Sequence, residues 1–299
     1  MLKKNTRETL IGYAFLSPAL IIFLCLLIIP LVMSVYLAFT KWNFLSGFKG
    51  IKWIGLDNFT RLFTKDRSFK VALRNTFFYT ITIVPASVFI GLVLAYCLNQ
   101  TLYCKHYLRF AFFVPYISNM VALSAVFKML FRADGVINEI LMKWFHVSKG
   151  NLPNWLSDGS LSRIPVVALM IYTGLGFCML IYIAALQDIP KELYEAATID
   201  GASDTQKFWK ITFPLISPTT FYLLVIRMIS TFQIFVAINV ITESSKASGS
   251  VSMVVLIYEE AFKKYNFGYA SAESWILVLI ILLVTVFQMW GQKKWVFYE

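Results

Sequence analysis

Charge-free stretches divide this chain. Residues 9–40, 75–104, 164–187 and 274–292 contain no Asp, Glu, Lys or Arg; residues 110–127 form a fifth run, and 211–242 are interrupted only by Arg227. A hydrocarbon core about 30 Å thick takes roughly 20 residues of helix to cross, so each run is long enough, or nearly so, for one passage. The pattern predicts an all-α integral membrane protein with six transmembrane helices, over about 11–39, 76–100, 108–131, 164–186, 216–241 and 274–291, in a single domain spanning 1–299. An even count puts both termini on one side. The first run is too long for a cleaved signal, and no small-residue cleavage site follows it.

Between the spans lie turn signals such as Ala133-Asp134-Gly135 and Gly150-Asn151-Leu152-Pro153-Asn154. These segments read as short amphipathic helices and surface loops, with Trp42, Trp53, Trp144 and Trp155 as interfacial anchors. No soluble domain fits between any two spans. The Lys/Arg bias that orients many membrane proteins is a tie. One set of loops carries ten basic residues in 59 and the other sixteen in 102.

Composition agrees with the spans. Of 299 residues, 59% are apolar and 14% charged, against roughly 45–50% and 25% in soluble domains. Disorder, collagen-like repeats and a disulfide scaffold are excluded. The net charge of +11 suits anionic headgroups and needs no nucleic acid. Cys25, Cys97, Cys104 and Cys178 form no CxxC pair and read as small buried hydrophobes. His106 and His146 are the only histidines, which argues against most His-rich metal sites and leaves few candidates for a histidine base; no metal site is expected. No phosphate-binding loop is present: Gly50 and Gly55 are followed by Leu56 where its Lys would stand.

Between the fourth and fifth predicted spans lies the segment Asp188 to Pro214. It reads as helix, turn, helix. Pro190 suits a first turn, Lys191–Ile199 has good formers with Leu193, Ala196 and Ala197 on one face, and Gly201 can take the left-handed conformation that ends it. A second piece starts near Ser203, buries Phe208 and Ile211 and stops before Pro214. Such a unit suits docking into a groove on another protein, or lying as an amphipathic hairpin on the bilayer.

Glu195-Ala196-Ala197, Asp200-Gly201-Ala202, Ile211 with Pro214, and Pro218 resemble the EAA loop of binding-protein-dependent ABC importer permeases. Further motifs resemble the sugar branch of that family: Leu16-Ser-Pro-Ala-Leu20, Gly55-Leu-Asp-Asn-Phe59, Arg74-Asn-Thr76, Phe112-Phe-Val-Pro-Tyr116, Asn154-Trp-Leu-Ser157 and Phe267-Gly-Tyr-Ala-Ser271. One departure is Glu243-Ser-Ser-Lys-Ala-Ser-Gly249, where the family usually has a Gly-Gly-Pro-like turn.

The resemblance implies the type I importer permease fold in a bacterial cytoplasmic (inner) membrane, with both termini and the coupling loop, 187–215, inside. It implies a non-catalytic subunit that couples to the ATPase through Glu195, Ala196, Ala197, Asp200 and Gly201. The implied partners are a second homologous permease in a heterodimer, two ABC ATPase subunits that bind the ATP and Mg, an extracellular solute-binding protein, a mono- or oligosaccharide substrate and membrane lipid. By the same resemblance, Tyr116, Gly174, Arg227 and Thr231 fall at or near a substrate pathway midway through the membrane. Tyr116 would stack on a sugar ring or pack between helices; Gly174 and Gly176 would line the path or allow close helix contact.

Arg227 stands out on physical grounds. A guanidinium near the middle of a span costs at least about 2.5–3.5 kcal/mol on insertion scales. It therefore meets an anionic group on the substrate, an acidic residue of the partner permease, or a contact within the bundle. A secondary transporter is the alternative reading, although apart from Arg227 the runs hold no charge to form a relay.

Overall fold

The structure is a computed structural model that describes residues 6–99, 104–242 and 249–297. It is helical almost throughout. In chain order the helices are α1 (Thr6–Phe23), α2 (Ile29–Ala38), α3 (Asp57–Thr64), α4 (Arg67–Asn99), α5 (Lys105–Ile117), α6 (Met120–Leu130), α7 (Val136–Phe145) and α8 (Arg163–Gln187). They continue as α9 (Lys191–Ile199), α10 (Asp204–Lys207), α11 (Phe213–Leu215), α12 (Ser217–Phe232), α13 (Val236–Ile241), α14 (Met253–Tyr258) and α15 (Phe267–Gln292). One small ladder accompanies the helices, β1 (Thr40–Lys41) antiparallel to β2 (Lys52–Trp53).

Among the described residues, four helices are long and apolar enough to cross a membrane: Ile11–Ala38, Arg67–Asn99, Arg163–Gln187 and Phe267–Gln292. Two bent pairs bring the number to six if each is one span. Lys105–Ile117 meets Met120–Leu130 at 99°, and Asp204–Leu215 meets Ser217–Phe232 at 61°. The first break has a local cause. Ser118 and Asn119 are extended, and the Asn119 side chain accepts from the N–H groups of Val121 and Ala122, so α6 is capped as a new helix.

Prolines explain two other irregularities. A π-helical turn at Leu24–Ile28 precedes Pro30, and another at Phe208–Thr212 precedes Pro214. A proline removes one helical N–H and crowds the carbonyl four residues back, and a π turn absorbs both defects without ending the helix. The helix expected to stop before Pro214 therefore runs on to Leu215 and breaks at Ile216.

The chain divides into two compact units, Met1–Asp66 with Ile257–Leu277 and Arg67–Leu256 with Val278–Glu299. In the larger unit α8 packs against α4, α5 and α12 and touches α6 and α13. Its core gathers Tyr79 and Ile83 of α4, Val166, Leu169 and Met170 of α8, and Ile234, Ala237, Ile238 and Ile241 around α13. Along α4 the polar residues Asn75, Thr76, Tyr79, Thr80 and Ser87 all face inward, while Phe78, Ile81, Phe89 and Val93 face out. That is the pattern of a helix whose outer solvent is lipid and whose polar groups find partners only inside. Asn75 and Tyr79 donate to the carbonyls of Val251 and Ser250, and Thr76 accepts from the Met253 N–H. The Arg74-Asn-Thr76 motif thus anchors the segment before α14.

In the smaller unit, Asn58 of the Gly55-to-Phe59 motif donates to the carbonyls of Ala38 and Thr40, both at 2.9 Å, and so closes the end of α2. Two of the four expected tryptophan anchors are instead structural. Trp42 is buried and donates to the Gly47 carbonyl, and Trp155, in the larger unit, is half-buried and donates to Asn138 at 2.8 Å. Trp53 and Trp144 are exposed, as an anchor requires. Cysteine burial also needs correcting. Cys178 is buried, but Cys25, Cys97 and Cys104 are exposed on the chain's surface, where an apolar solvent lets a small hydrophobe stand outward. The divergent turn at Glu243–Gly249 has its residues 243–248 outside the described residues.

Candidate functional site: the helical hairpin and the buried arginine

The hairpin after α8 is built by two abutting caps. Pro190, with φ −58° and ψ 130°, sits immediately before α9 and starts it. At the other end the Gly201 N–H donates to Thr198 and the Ala202 N–H reaches back to Ala197 at 2.9 Å. Gly201 has φ +75°. This paired-bond ending with a left-handed residue is a Schellman cap. Two residues on, the Ser203 N–H donates to Gln206 Oε1 at 2.8 Å and the Gln206 N–H returns to Ser203 Oγ at 3.3 Å. That capping box starts α10. The turn direction is set within four residues.

One side-chain contact then ties the two arms together. The hydroxyls of Tyr194 and Thr212 lie 2.8 Å apart in a hydrogen bond. Tyr194 rather than Leu193 is therefore the inward residue of α9. Leu193 and Ala196 are exposed, Ala197 is half-buried, and Ile199 is 87% exposed. The Ser-x-x-Gln spacing was the available signal for Gln206, whereas a Tyr–Thr pair eighteen positions apart leaves none.

Of the five coupling candidates, three share one recess. Ala197, Asp200 and Gly201 line a shallow hollow of about 400 Å³ with Lys207 and Lys210. Glu195 and Ala196 are exposed on α9 outside that hollow. The hairpin therefore presents two cations, a carboxylate and small side chains within one concavity, beside a second carboxylate and a bare Ile199.

The pathway candidates separate differently. Arg227, in the middle of α12, is 7% exposed and donates from Nη2 to the Met170 carbonyl at 3.1 Å. Its Nε is buried without a partner, and no carboxylate pairs with it among the described residues. Gly174 supplies the slot: a Cβ there would lie 2.6 Å from the guanidinium carbon and 3.2 Å from Nε. Arg227 thus meets a carbonyl within the bundle. Thr231 is 1% exposed, and its hydroxyl donates to the Arg227 carbonyl at 2.7 Å.

Gly176 allows close helix contact. A Cβ there would stand 2.5 Å from the Phe112 carbonyl oxygen of α5. That approach places Tyr116, just before the break in the α5–α6 pair, over Phe177 with ring centroids 5.2 Å apart. The Phe113 ring lies beside that of Tyr116 at 5.7 Å, and Tyr116 remains 45% exposed.

Residues 77–295 match the family described as "Binding-protein-dependent transport system inner membrane component". The chain belongs to that family. This permease is 34% identical to the probable ABC transporter permease protein YesP of Bacillus subtilis (strain 168), over 98% of this chain and 94% of that protein. It is 28% identical to the lactose transport system permease protein LacF of Rhizobium radiobacter, covering 95% and 94%. Among solved structures it resembles a chain of a bacterial alginate ABC transporter crystallised with an alginate pentasaccharide-bound periplasmic protein. The TM-score is 0.82 at 25% identity, covering 98% of this permease and 97% of that chain.

Proposed function

We propose that this permease is half of the membrane channel of an ATP-driven importer for a mono- or oligosaccharide. It receives substrate from an external solute-binding protein, pairs with a second homologous permease, and engages two ATPase subunits that hold the ATP and Mg. It contributes no catalytic residue. The saccharide class is supported by the lactose permease relative and by the alginate transporter neighbour.

The observation that carries the coupling role is the doubly capped hairpin. Its geometry is fixed by its own caps and the Tyr194–Thr212 bond, and it exposes Glu195, Asp200 and Ile199 beyond the end of α8. A rigid, protruding unit transmits displacement where a floppy loop would absorb it. An exposed Glu195 can accept charge-assisted hydrogen bonds from a partner. The hairpin faces the cytoplasm, and so do both termini. ATP binding draws the ATPases together, the two hairpins follow, and the permease pair opens outward toward the loaded binding protein; hydrolysis resets it.

The substrate path passes Tyr116 at the broken span. Its exposed ring surface offers apolar contact and its hydroxyl a hydrogen bond, the two contacts a sugar ring uses. Arg227 acts as a positioning residue. It joins α12 to α8 through Met170 and, through the Gly174 slot, keeps the α8 face that bears Phe177 in register with Tyr116.

The test is affinity purification of the tagged chain from its native host in mild detergent. The expected result is co-purification of a second permease and an ATPase, with only the ATPase lost in Glu195→Arg. Recovery of the chain alone, in a preparation that still transports, would overturn the proposal and favour a secondary transporter.

A further inference from the structure

In the smaller unit an open cavity of about 600 Å³ begins just past the first span, which ends at Ala38. That volume is in the range of small-ligand sites. Its walls carry three cations, Lys41, Lys52 and Arg61, against the single carboxylate of Asp57, with the Trp42 and Tyr269 rings beside them.

The placement of the lysines is unusual. Lys41 and Lys52 are directly opposed in the β1–β2 ladder, so their side chains leave the same face with Cβ atoms about 5 Å apart. Neither ammonium pairs with a carboxylate among the described residues, Asp57 included. Arg61 lies over the Tyr269 ring at 4.7 Å, and the Tyr269 hydroxyl donates to Asp66. Like charges directly opposed on a ladder repel and weaken it. An anion seated between the ammonium groups replaces that repulsion with two charge-assisted contacts.

The surroundings specify which anion. Trp42 stacks on Phe48 with centroids 6.0 Å apart and meets Phe44 edge-on, and Phe44, Leu45 and Phe48 are all exposed. Trp53 stacks on Phe39 at 5.6 Å, one residue past the span. Exposed aromatic and aliphatic tips beside cations at the end of a membrane helix are the chemistry of the headgroup layer.

We propose that this cavity binds the phosphate of an anionic phospholipid headgroup between Lys41 and Lys52, with Phe44, Leu45 and Phe48 reaching into the acyl boundary. A free phosphate or acidic solute shares the anion chemistry but would not engage the apolar tips.

The assembled transporter in neutral detergent is titrated with dioctanoyl phosphatidylglycerol, dioctanoyl phosphatidylcholine and inorganic phosphate, with thermal unfolding recorded alongside. Phosphatidylglycerol is expected to bind and raise the unfolding midpoint, and phosphatidylcholine to do neither. Affinity should fall about fivefold for each of Lys41→Gln and Lys52→Gln, from about 1 kcal/mol per basic residue at a membrane surface. Without lipid, either variant should unfold at a higher temperature than the parent, which a merely structural lysine would not do. Inorganic phosphate binding as tightly as phosphatidylglycerol would place the source in free anions and overturn the lipid assignment. Phosphatidylglycerol affinity unchanged in the double variant would overturn the site itself.

Discussion

The Cβ that Gly174 lacks would stand inside the guanidinium of Arg227. Two helices, α8 and α12, are thereby matched at one point, where a missing side chain on one accommodates the largest cation on the other. Gly174→Ala is expected to cost about 1–3 kcal/mol through overpacking, read as a lower thermal midpoint of the purified complex. Arg227→Met should relieve that penalty, so the double variant should be more stable than additivity of the two single changes allows. Additive losses would show that the slot and the arginine are not coupled.

Tyr116 and Thr231 should part company experimentally. Tyr116→Ala removes an exposed ring at the broken span and is expected to lower sugar uptake with assembly intact. Thr231→Val removes only a hydroxyl bonded within its own helix, so it should cost about 1 kcal/mol of stability and leave substrate preference unchanged. Uptake assays on reconstituted complex, with parallel unfolding curves, make the comparison.

Gly201 holds a φ of +75°, where an L side chain costs about 1–2 kcal/mol and a β-branched one more. Gly201→Val should misdirect α10, and ATP hydrolysis should then lose its stimulation by the loaded binding protein. Gly201→Asn, which tolerates the left-handed region, should retain most of it. Equal activity in the two variants would remove the hairpin geometry from the mechanism.

The capping box invites a local measurement. Ser203→Ala deletes the Oγ acceptor for the Gln206 N–H and should cost about 1 kcal/mol. Amide exchange at 204–207 should quicken while that of α9 stays unchanged.

Asp158 provides a pH test outside the spans. Bonds from the Ser160 N–H and then its hydroxyl hold this carboxyl below its ordinary range. A depressed folded value means that the turn's stabilisation is present above the ordinary carboxylate pKa and is lost as pH falls through the folded one. Ser160→Ala should move that acid transition to higher pH, followed by carboxyl carbon chemical shift.

The spans and the hairpin were legible because their signals are local. A charge-free run reports hydrocarbon burial directly, and Pro190, Gly201 and Ser203 are each dictated by the backbone conformation of their own turn. The small motifs were visible as patterns but not as roles. Asn58 closes the end of α2, and Asn75 and Thr76 hold residues far along the chain, because a buried amide or hydroxyl in an apolar setting must find whichever backbone group the fold delivers.

Sequence alone thus determined the membrane class, the family resemblance and the geometry of the hairpin turn. Tertiary structure decided that Arg227 turns to the Met170 carbonyl rather than to a carboxylate. It likewise decided that Thr231 is spent within α12, that Tyr194 ties the hairpin arms, and that Lys41 faces Lys52. The physical reason is range. Hydropathy and capping act between residues a few positions apart, whereas the partner of a buried polar group is chosen by which helices and strands approach, and no short stretch of sequence encodes that.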